Sequence, residues 1–159
     1  MASPARLRSQ YEEIFIESND QKRTLDIRKG VVAIDYYEDI FSPTITATIT
    51  VINTGDSIAK ADEDGNPDGP RQSIYNGLPL RGGERVSIKI AGNTPTNPGL
   101  DSSKKPADYL YVSSISNVIS ESKRESFTLN LVSRESITNE TTRVAKKYPT
   151  SSRIDQSVQ

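Results

Sequence analysis

The clearest pattern in the chain is a strict alternation of apolar and hydroxyl side chains over residues 44–52. One side of this segment carries Ile45, Ala47, Ile49 and Val51, and the other side carries threonine at positions 44, 46, 48 and 50. Successive side chains of a β-strand point to opposite faces of the sheet. The segment is therefore predicted to be a strand with one face in the core and one face in water.

Weaker runs of the same kind predict five further extended segments, at 11–18, 24–39, 84–91, 108–120 and 125–133. In the long segment 24–39, Gly30 indicates a bulge or bend. Leu25 and Ile27 are predicted to share a face before the bend. After it the shared face is predicted to hold Val32, Ile34 and Tyr36. The short break at 40–43 predicts a hairpin between 24–39 and 44–52.

The segments between the predicted strands contain many turn-forming residues. Residues 53–72 and 92–105 are predicted to be long surface loops, and Ser73–Leu78 to form one helical turn. Gly77, Gly82 and Gly83 are expected at backbone positions with positive φ. Residues 1–10 are expected to be a flexible arm. Weak helical spacing follows over 134–147, and 151–159 has the features of a helix start.

The composition favours β structure with a thin core. The chain has 159 residues, with 16 Ile, 9 Val and 13 Thr against 8 Leu, and only 33% of its residues are hydrophobic. Branched side chains suit a pleated surface, whereas leucine suits helices. We therefore expect mainly β structure with a modest core and long polar loops, or a fold completed by partners.

The residue types that are missing exclude several kinds of chemistry. The sequence has no Cys and no His, which excludes disulfides, thiolate or imidazole metal sites and nucleophile pairs that use histidine. The net charge of −1 gives no overall attraction to nucleic acid or anionic lipid. No apolar stretch approaches the length of a membrane span.

One loop partly matches a calcium-binding pattern. Asp64, Asn66, Asp68 and Gly69 occupy the alternating oxygen-ligand and glycine positions of such a loop, but its twelfth position holds Tyr75 instead of a bidentate glutamate. These are also the residue types of an ordinary solvated loop. The loop is read as solvated, with a weak calcium site as the alternative, and no metal ligand is assigned.

Two other groups were considered as functional sites. The tyrosines 36, 37, 109 and 111 could form a stacking platform for single-stranded nucleic acid, but few basic residues accompany them and packing explains them as well. Adjacent carboxylates such as Glu12 and Glu13 point to opposite faces of a strand. No catalytic or cofactor-binding residue is assigned, no cofactor is expected, and the chain is not expected to be an enzyme.

Several pieces, in order, carry a resemblance to one family. They are DIRKGVVAIDYYEDIFSP, TITATITVINTGDS, YNGLPLRGGERVSIKI with its P-x-x-GGE-x-V turn, LYVSSISNVISESKRESFTLNLVSRESITNE and YPTSSRIDQSV. Over about residues 11–158 the layout resembles the N-terminal tube-like domain of the baseplate hub protein of T-even-like contractile phages. The type VI secretion spike N-terminal region and tail-tube proteins are related to it. The family's hub has two such domains, and this chain holds one.

The resemblance implies a structural role and a mainly β, tail-tube-like barrel or sandwich of about six strands with one short helix and long loops. It implies a tube-like β domain at 11–135 between the arm at 1–10 and a linker with a helix start at 136–159. The chain would be a hub subunit in the virion's tail baseplate, assembled in the host cytoplasm, joining the central spike to the tail tube around a DNA-conducting channel. Its expected partners are copies of itself, in a trimer or hexameric ring, with tail-tube, central spike and baseplate wedge proteins.

Three alternatives remain open at this point. A hexameric tail-tube or tail-terminator subunit would share the fold. An extracellular calcium- or carbohydrate-binding β-module would use the Asp64–Asp68 loop. A carboxylate-based glycosidase would need two carboxyl groups about 5 to 9.5 Å apart in a cleft.

Overall fold

The computed structural model describes residues 9–54, 58–59, 71–78, 80–104, 108–121 and 124–143, and it is mainly β. Its strands are β1 (Gln10–Glu17), β2 (Thr24–Asp26), β3 (Val31–Tyr37), β4 (Thr46–Thr54), β5 (Ile58–Ala59), β6 (Arg71–Gln72), β7 (Arg85–Ala91), β8 (Leu100–Asp101), β9 (Leu110–Glu121) and β10 (Arg124–Ser133). A 3₁₀ turn at Arg28–Gly30 and the helices α1 (Ile74–Gly77) and α2 (Arg134–Thr141) complete the described elements.

Eight of these strands form one antiparallel sheet, and β5 pairs with β6 in a separate small one. The main order is β2-β1-β7-β9-β10-β4-β3, with β8 on β7. Only two residue pairs, Arg85 with Tyr111 and Val86 with Leu110, join β7 to β9. The sheet therefore consists of two four-stranded parts, which we call the β7 half (β2, β1, β7, β8) and the β10 half (β9, β10, β4, β3).

The two ends of the strand order come together through residues 27–30. The Ile27 amide donates to the carbonyl of Ile14 in β1 at 2.9 Å. Three residues later, a Cβ atom on Gly30 would lie 2.8 Å from the carbonyl oxygen of Ile52 in β4. Because four residues span at most about 14 Å, the sheet must curl for one short segment to contact both β1 and β4. Glycine permits the close approach to β4.

A single apolar cluster includes side chains from both halves of the sheet. It combines buried side chains of β1 and β7 with those of β4, β9 and β10, together with residues of α1 and its following loop. Ile14, Ile49, Val86 and Leu129 each have 0% exposure. The alternation predicted for 44–52 is confirmed, since Ala47, Ile49 and Val51 are buried while the threonines of β4 point outward.

The predicted hairpin is confirmed by the antiparallel pairing of β3 with β4, but one residue of its predicted face is wrong. Val31 pairs with Val51 and Ala33 with Thr50, so β3 carries a bulge between them. The bulge reverses the phase of the strand. Val31 therefore packs against the core in place of Val32, which is 59% exposed.

Other differences are local. The main sheet has eight strands where about six were predicted, because the segment 24–39 divides into β2 and β3 and the loop 92–105 contains β8. Gly82 and Gly83 have the predicted positive φ, but Gly77 does not, since its amide still makes a helical bond to Ser73. The arm at 1–8, the Asp64–Asp68 loop and the segment 144–159 lie outside the described residues.

Candidate assembly surface

The most exposed apolar side chains of the described residues lie at the tip of the β3–β4 hairpin. Ile40 is 92% and Phe41 93% exposed. The backbone of this tip is held by its own polar groups. The Asp39 carboxylate accepts from the Phe41 amide at 2.9 Å, and the Ser42 amide donates to the Asp39 carbonyl at 3.0 Å. An aspartate that bonds two residues ahead stabilises a turn, so the two side chains are presented to solvent from a defined turn.

Acidic groups surround this tip. Glu38 and Asp39 directly precede the two apolar residues, and Asp35 lies further back in β3. The Tyr36 hydroxyl donates to Glu38 at 3.4 Å. Burial raises the pKa of the Tyr36 phenol, and the Glu38 charge raises it further. The tip therefore presents two apolar side chains, with carboxylates in the residues that lead to it.

The β10 half has an unpaired edge on each side among the described residues. One edge is β3, which pairs only with β4 and exposes Val32 and Tyr37. The other is the distal part of β9 beyond Val112, where β7 has diverged. This second edge exposes Val118 and Ile119 at 43% and 59%. Unpaired strand edges with exposed apolar side chains are templates for pairing with another chain.

A buried carboxylate shapes the turn that leads into β7. Glu84 has 0% exposure. It accepts the Arg81 amide at 2.7 Å, the Gly82 amide at 2.9 Å and the Asn19 side-chain amide at 3.2 Å. These donors offset the cost of burying the charge. In the P-x-x-GGE-x-V turn, the glycines supply positive φ and the glutamate holds the turn closed.

A second buried carboxylate holds the short helix α1. Glu125, at the start of β10, is 4% exposed. It accepts the Ile74 amide at 2.6 Å and the Asn53 side-chain amide at 2.9 Å. The first amides of a helix lack partners within the helix. Glu125, in the neighbouring sheet, supplies an acceptor for one of these amides and so fixes α1 against β10 and β4.

Sequence reasoning did not single out either of these glutamates, although a signal for both is present. Glu84 is in phase with the buried Val86 and Ile88, and Glu125 is in phase with the buried Phe127. A charged residue that continues the apolar side of a strand is expected to be buried and therefore to need several donors. That phase relationship could have identified them.

The structure separates the residues that were considered as functional sites. Glu12 pairs with Lys89 at 3.0 Å, which raises the pKa of the Lys89 ammonium, whereas Glu13 faces a groove on the outer side of the β7 half. Tyr36 packs on the core while Tyr37 is exposed, as predicted for opposite faces. Among the described residues, no three potential ligands gather into a metal site.

The groove on the β7 half has a volume of about 380 Å³. Its lining includes Glu13, Phe15, Glu17, Arg85 and Tyr109. The Arg85 guanidinium contacts the Glu17 carboxylate at 3.4 Å. Glu13 and Glu17 are four positions apart on β1, so their Cα atoms lie about 13 Å apart along the strand.

Within the described chain, no helix has the length and apolar character needed to cross a membrane. No protein-family model, curated protein or solved structure matches this sequence. The edges, faces and exposed side chains of the sheet are therefore the features from which a function can be inferred.

Proposed function

We propose that the chain is a structural component of a phage contractile tail, a baseplate hub subunit that joins the central spike to the tail tube around a DNA-conducting channel. The observation that carries the proposal is the pair of unpaired edges on the β10 half, one on β3 and one on distal β9. Each of these edges exposes apolar side chains. The resemblance of the sequence to the hub family supports the same role.

Two different edges on one half-sheet suit head-to-tail association. When β3 of one copy pairs with β9 of the next, every copy uses both edges, and the contact is repeated around an axis. A repeated contact between unlike surfaces closes into a ring if the rotation between copies permits it. The ring would remove the unpaired edges in the way that a barrel does.

The tube-like barrel or sandwich belongs to the same proposal. The link at residues 27–30 brings β1 and β4 together, and the common core includes side chains from both halves of the sheet. Both features support a subunit in which the β7 half covers one face of the β10 half. Each copy would then contribute four strands to the wall of the ring.

The exposed Ile40–Phe41 tip gives the subunit a second type of contact. It lies beyond the end of β3, so it would project past the strands that pair within the ring. Burying two large side chains of this kind is worth roughly 1.5–3 kcal/mol each. The tip is proposed to insert into a neighbouring subunit, tail-tube, spike or wedge protein of the baseplate.

The edge contact can be tested by placing a charge on it. Val32→Lys adds a charge to the edge of β3, a device that keeps natural edge strands from pairing. Ser87→Lys, in β7, is the matched control because that strand is paired on both sides. Light scattering is expected to give monomers for V32K and rings for wild type and S87K. Rings of V32K as stable as wild type would refute edge pairing through β3.

A hexameric tail-tube or tail-terminator subunit would use the same edges. The number of copies in the ring distinguishes the hub from this alternative. A hub subunit is proposed to match a threefold spike, whereas a tail-tube or tail-terminator subunit would form a hexamer. The calcium-binding alternative depends on the Asp64–Asp68 loop, which lies outside the described residues, and calorimetry with calcium tests it directly.

A further inference from the structure

The groove on the outer side of the β7 half is lined by alternate residues of β1. Glu13, Phe15 and Glu17 face it because Ile14 and Ile16, which lie between them, are buried in the core. The neighbouring strand β7 and the segment before β9 add to the lining. The volume of about 380 Å³ lies at the small end of the range of about 300–1,000 Å³ that small-molecule sites occupy. The groove therefore suits a small ligand.

The charges in and beside the groove are largely balanced. The Arg85 guanidinium contacts the Glu17 carboxylate at 3.4 Å, and the Lys89 ammonium contacts the Glu12 carboxylate at 3.0 Å. Lys89 also lies opposite Glu13 in the pairing of β7 with β1. The bond to Glu12, together with the Glu12 and Glu13 charges, raises the pKa of the Lys89 ammonium. A ligand with one ionic group of either sign would meet a group of its own charge, which disfavours its binding.

Hydrogen-bonding capacity in the groove is left over. In the described chain, the one side chain to which Arg85 donates is Glu17, so other N–H groups of the guanidinium are available. Within the same residues, the Glu13 carboxylate and the Thr24 hydroxyl form no side-chain hydrogen bond. A guanidinium only donates, a carboxylate only accepts, and a hydroxyl does both. A neutral ligand with several hydroxyl groups matches this set, since each of its hydroxyls both donates and accepts.

Two aromatic side chains give the groove an apolar surface. Phe15 and Tyr109 both line it, and both are half-buried, so part of each side chain stays accessible. The face of an aromatic ring carries partial negative charge, and C–H groups pack against it favourably. A pyranose ring has C–H groups on its faces and hydroxyl groups around its rim. Such a ring presents an apolar face to an aromatic side chain while its hydroxyls reach polar neighbours.

We infer that this groove is a binding site for a neutral sugar in the pyranose form. The sugar packs against Phe15 and Tyr109, and its hydroxyl groups donate to Glu13 and accept from Arg85. The groove lies on an outer face, whereas the proposed ring contacts use the edges of the β10 half. Sugar binding is therefore expected in the monomer as well as in the ring, and it does not depend on the proposed function.

NMR spectroscopy of the full chain tests the site without any substitution. The probes are the neutral disaccharides maltose, cellobiose, lactose and diacetylchitobiose, with cadaverine and glucuronate as cationic and anionic comparisons. At least one neutral disaccharide is expected to shift the backbone amide signals of Phe15, Arg85 and Tyr109, and the ionic probes are expected to shift them less at the same concentration. No shift at these residues with any neutral disaccharide, or a tighter response to an ionic probe, would overturn the inference.

Substitutions then separate stacking from charge. Tyr109→Ala is expected to weaken disaccharide binding roughly tenfold or more. Tyr37→Ala is the matched control, because this exposed tyrosine of β3 does not line the groove, and it is expected to leave the affinity unchanged. Glu13→Gln keeps one acceptor, so it is expected to weaken a neutral sugar by less than about tenfold.

Circular dichroism establishes that each variant is folded before affinities are compared. Equal affinities of folded Y109A and Y37A would contradict stacking on the tyrosine. Complete loss of binding in folded E13Q would show that the groove recognises a cation instead of a neutral sugar. The amide shifts in the unsubstituted protein decide the question where Y109A does not fold.

Discussion

The most informative stability test is Glu84→Gln, which changes one buried oxygen of the turn into a nitrogen. In the native turn, one carboxylate oxygen accepts the Arg81 amide at 2.7 Å and the other accepts the Gly82 amide at 2.9 Å. Glutamine keeps one acceptor and places an NH₂ group at the other position. In one orientation the Arg81 amide faces the NH₂ group. In the other, the Gly82 amide faces it and keeps only the longer 3.3 Å contact with the remaining oxygen.

The expected loss of stability follows from these contacts. Weakening or losing the bond to one of these part-buried amides costs about 1–3 kcal/mol, and replacing a charge-assisted bond by a neutral one costs about 1 kcal/mol more. The total is about 2–4 kcal/mol. For a domain of this size, each kcal/mol lowers the melting temperature by about 2–4 °C. Glu84→Gln is therefore expected to lower it by roughly 4–16 °C.

Urea unfolding followed by circular dichroism measures this difference. Glu121→Gln, at the exposed end of β9, is the control and is expected to change the free energy of unfolding by less than about 0.5 kcal/mol. If Glu84→Gln is as stable as this control, the reasoning is wrong. The Glu84 carboxylate would then not be the group that holds the turn.

Three other predictions concern the tip, the turn and the acid dependence of stability. Ile40→Ser combined with Phe41→Ser should leave the free energy of unfolding within about 0.5 kcal/mol of wild type, because both side chains are over 90% exposed, but should weaken assembly measured by light scattering. Gly82→Ala should cost about 1–3 kcal/mol in urea unfolding, because Gly82 has φ of 102°. The hydrogen bond from the Ser18 hydroxyl lowers the pKa of the Asp20 carboxyl below its ordinary value. The charged carboxylate therefore stabilises the fold above that ordinary pKa, and this contribution is lost as the pH falls through the lowered pKa. Asp20→Asn should therefore lose less stability than wild type between about pH 5 and about pH 2.

Each of these three has a result that would contradict it. A doubly substituted tip that still assembles like wild type would remove the tip from the interface. An alanine at position 82 with unchanged stability would mean that the turn can relax away from positive φ. Identical acid unfolding curves for wild type and Asp20→Asn would show that the Ser18 bond does not stabilise the charged form.

Much of the fold follows from local alternation. The pattern at 44–52 predicts β4, its buried face and its threonine face, because a strand has a two-residue period whatever it pairs with. The same logic places Phe127 and Val86 in the core. Prediction failed at Val32, where a bulge reverses the phase, because bulges depend on the pairing of two strands and leave little trace in either one.

The candidate surface could be predicted only in part. Strand segments and polar loops are visible in the sequence, but which strands become edges depends on the order of strands in the sheet. β7 pairs with β9 only at Arg85 and Val86 and then diverges from it. The rest of β9 is left without that neighbour, and Val118 and Ile119 are exposed there. These contacts connect segments that are distant along the chain. Glu84 and Glu125 were missed for a different reason. Their position in phase with buried residues was visible in the sequence, but the Asn19 donor to Glu84 and the Asn53 and Ile74 donors to Glu125 are distant along the chain.

We propose that copies of this chain form a ring around a channel between a spike and a tail tube. Electron microscopy of the purified protein, mixed with candidate tube and spike proteins, is the decisive test. We expect a ring with an open centre, threefold for a hub subunit and sixfold for a tail-tube or tail-terminator subunit, in which β3 of one copy lies beside β9 of the next. A protein that stays monomeric at high concentration with these partners present would contradict it.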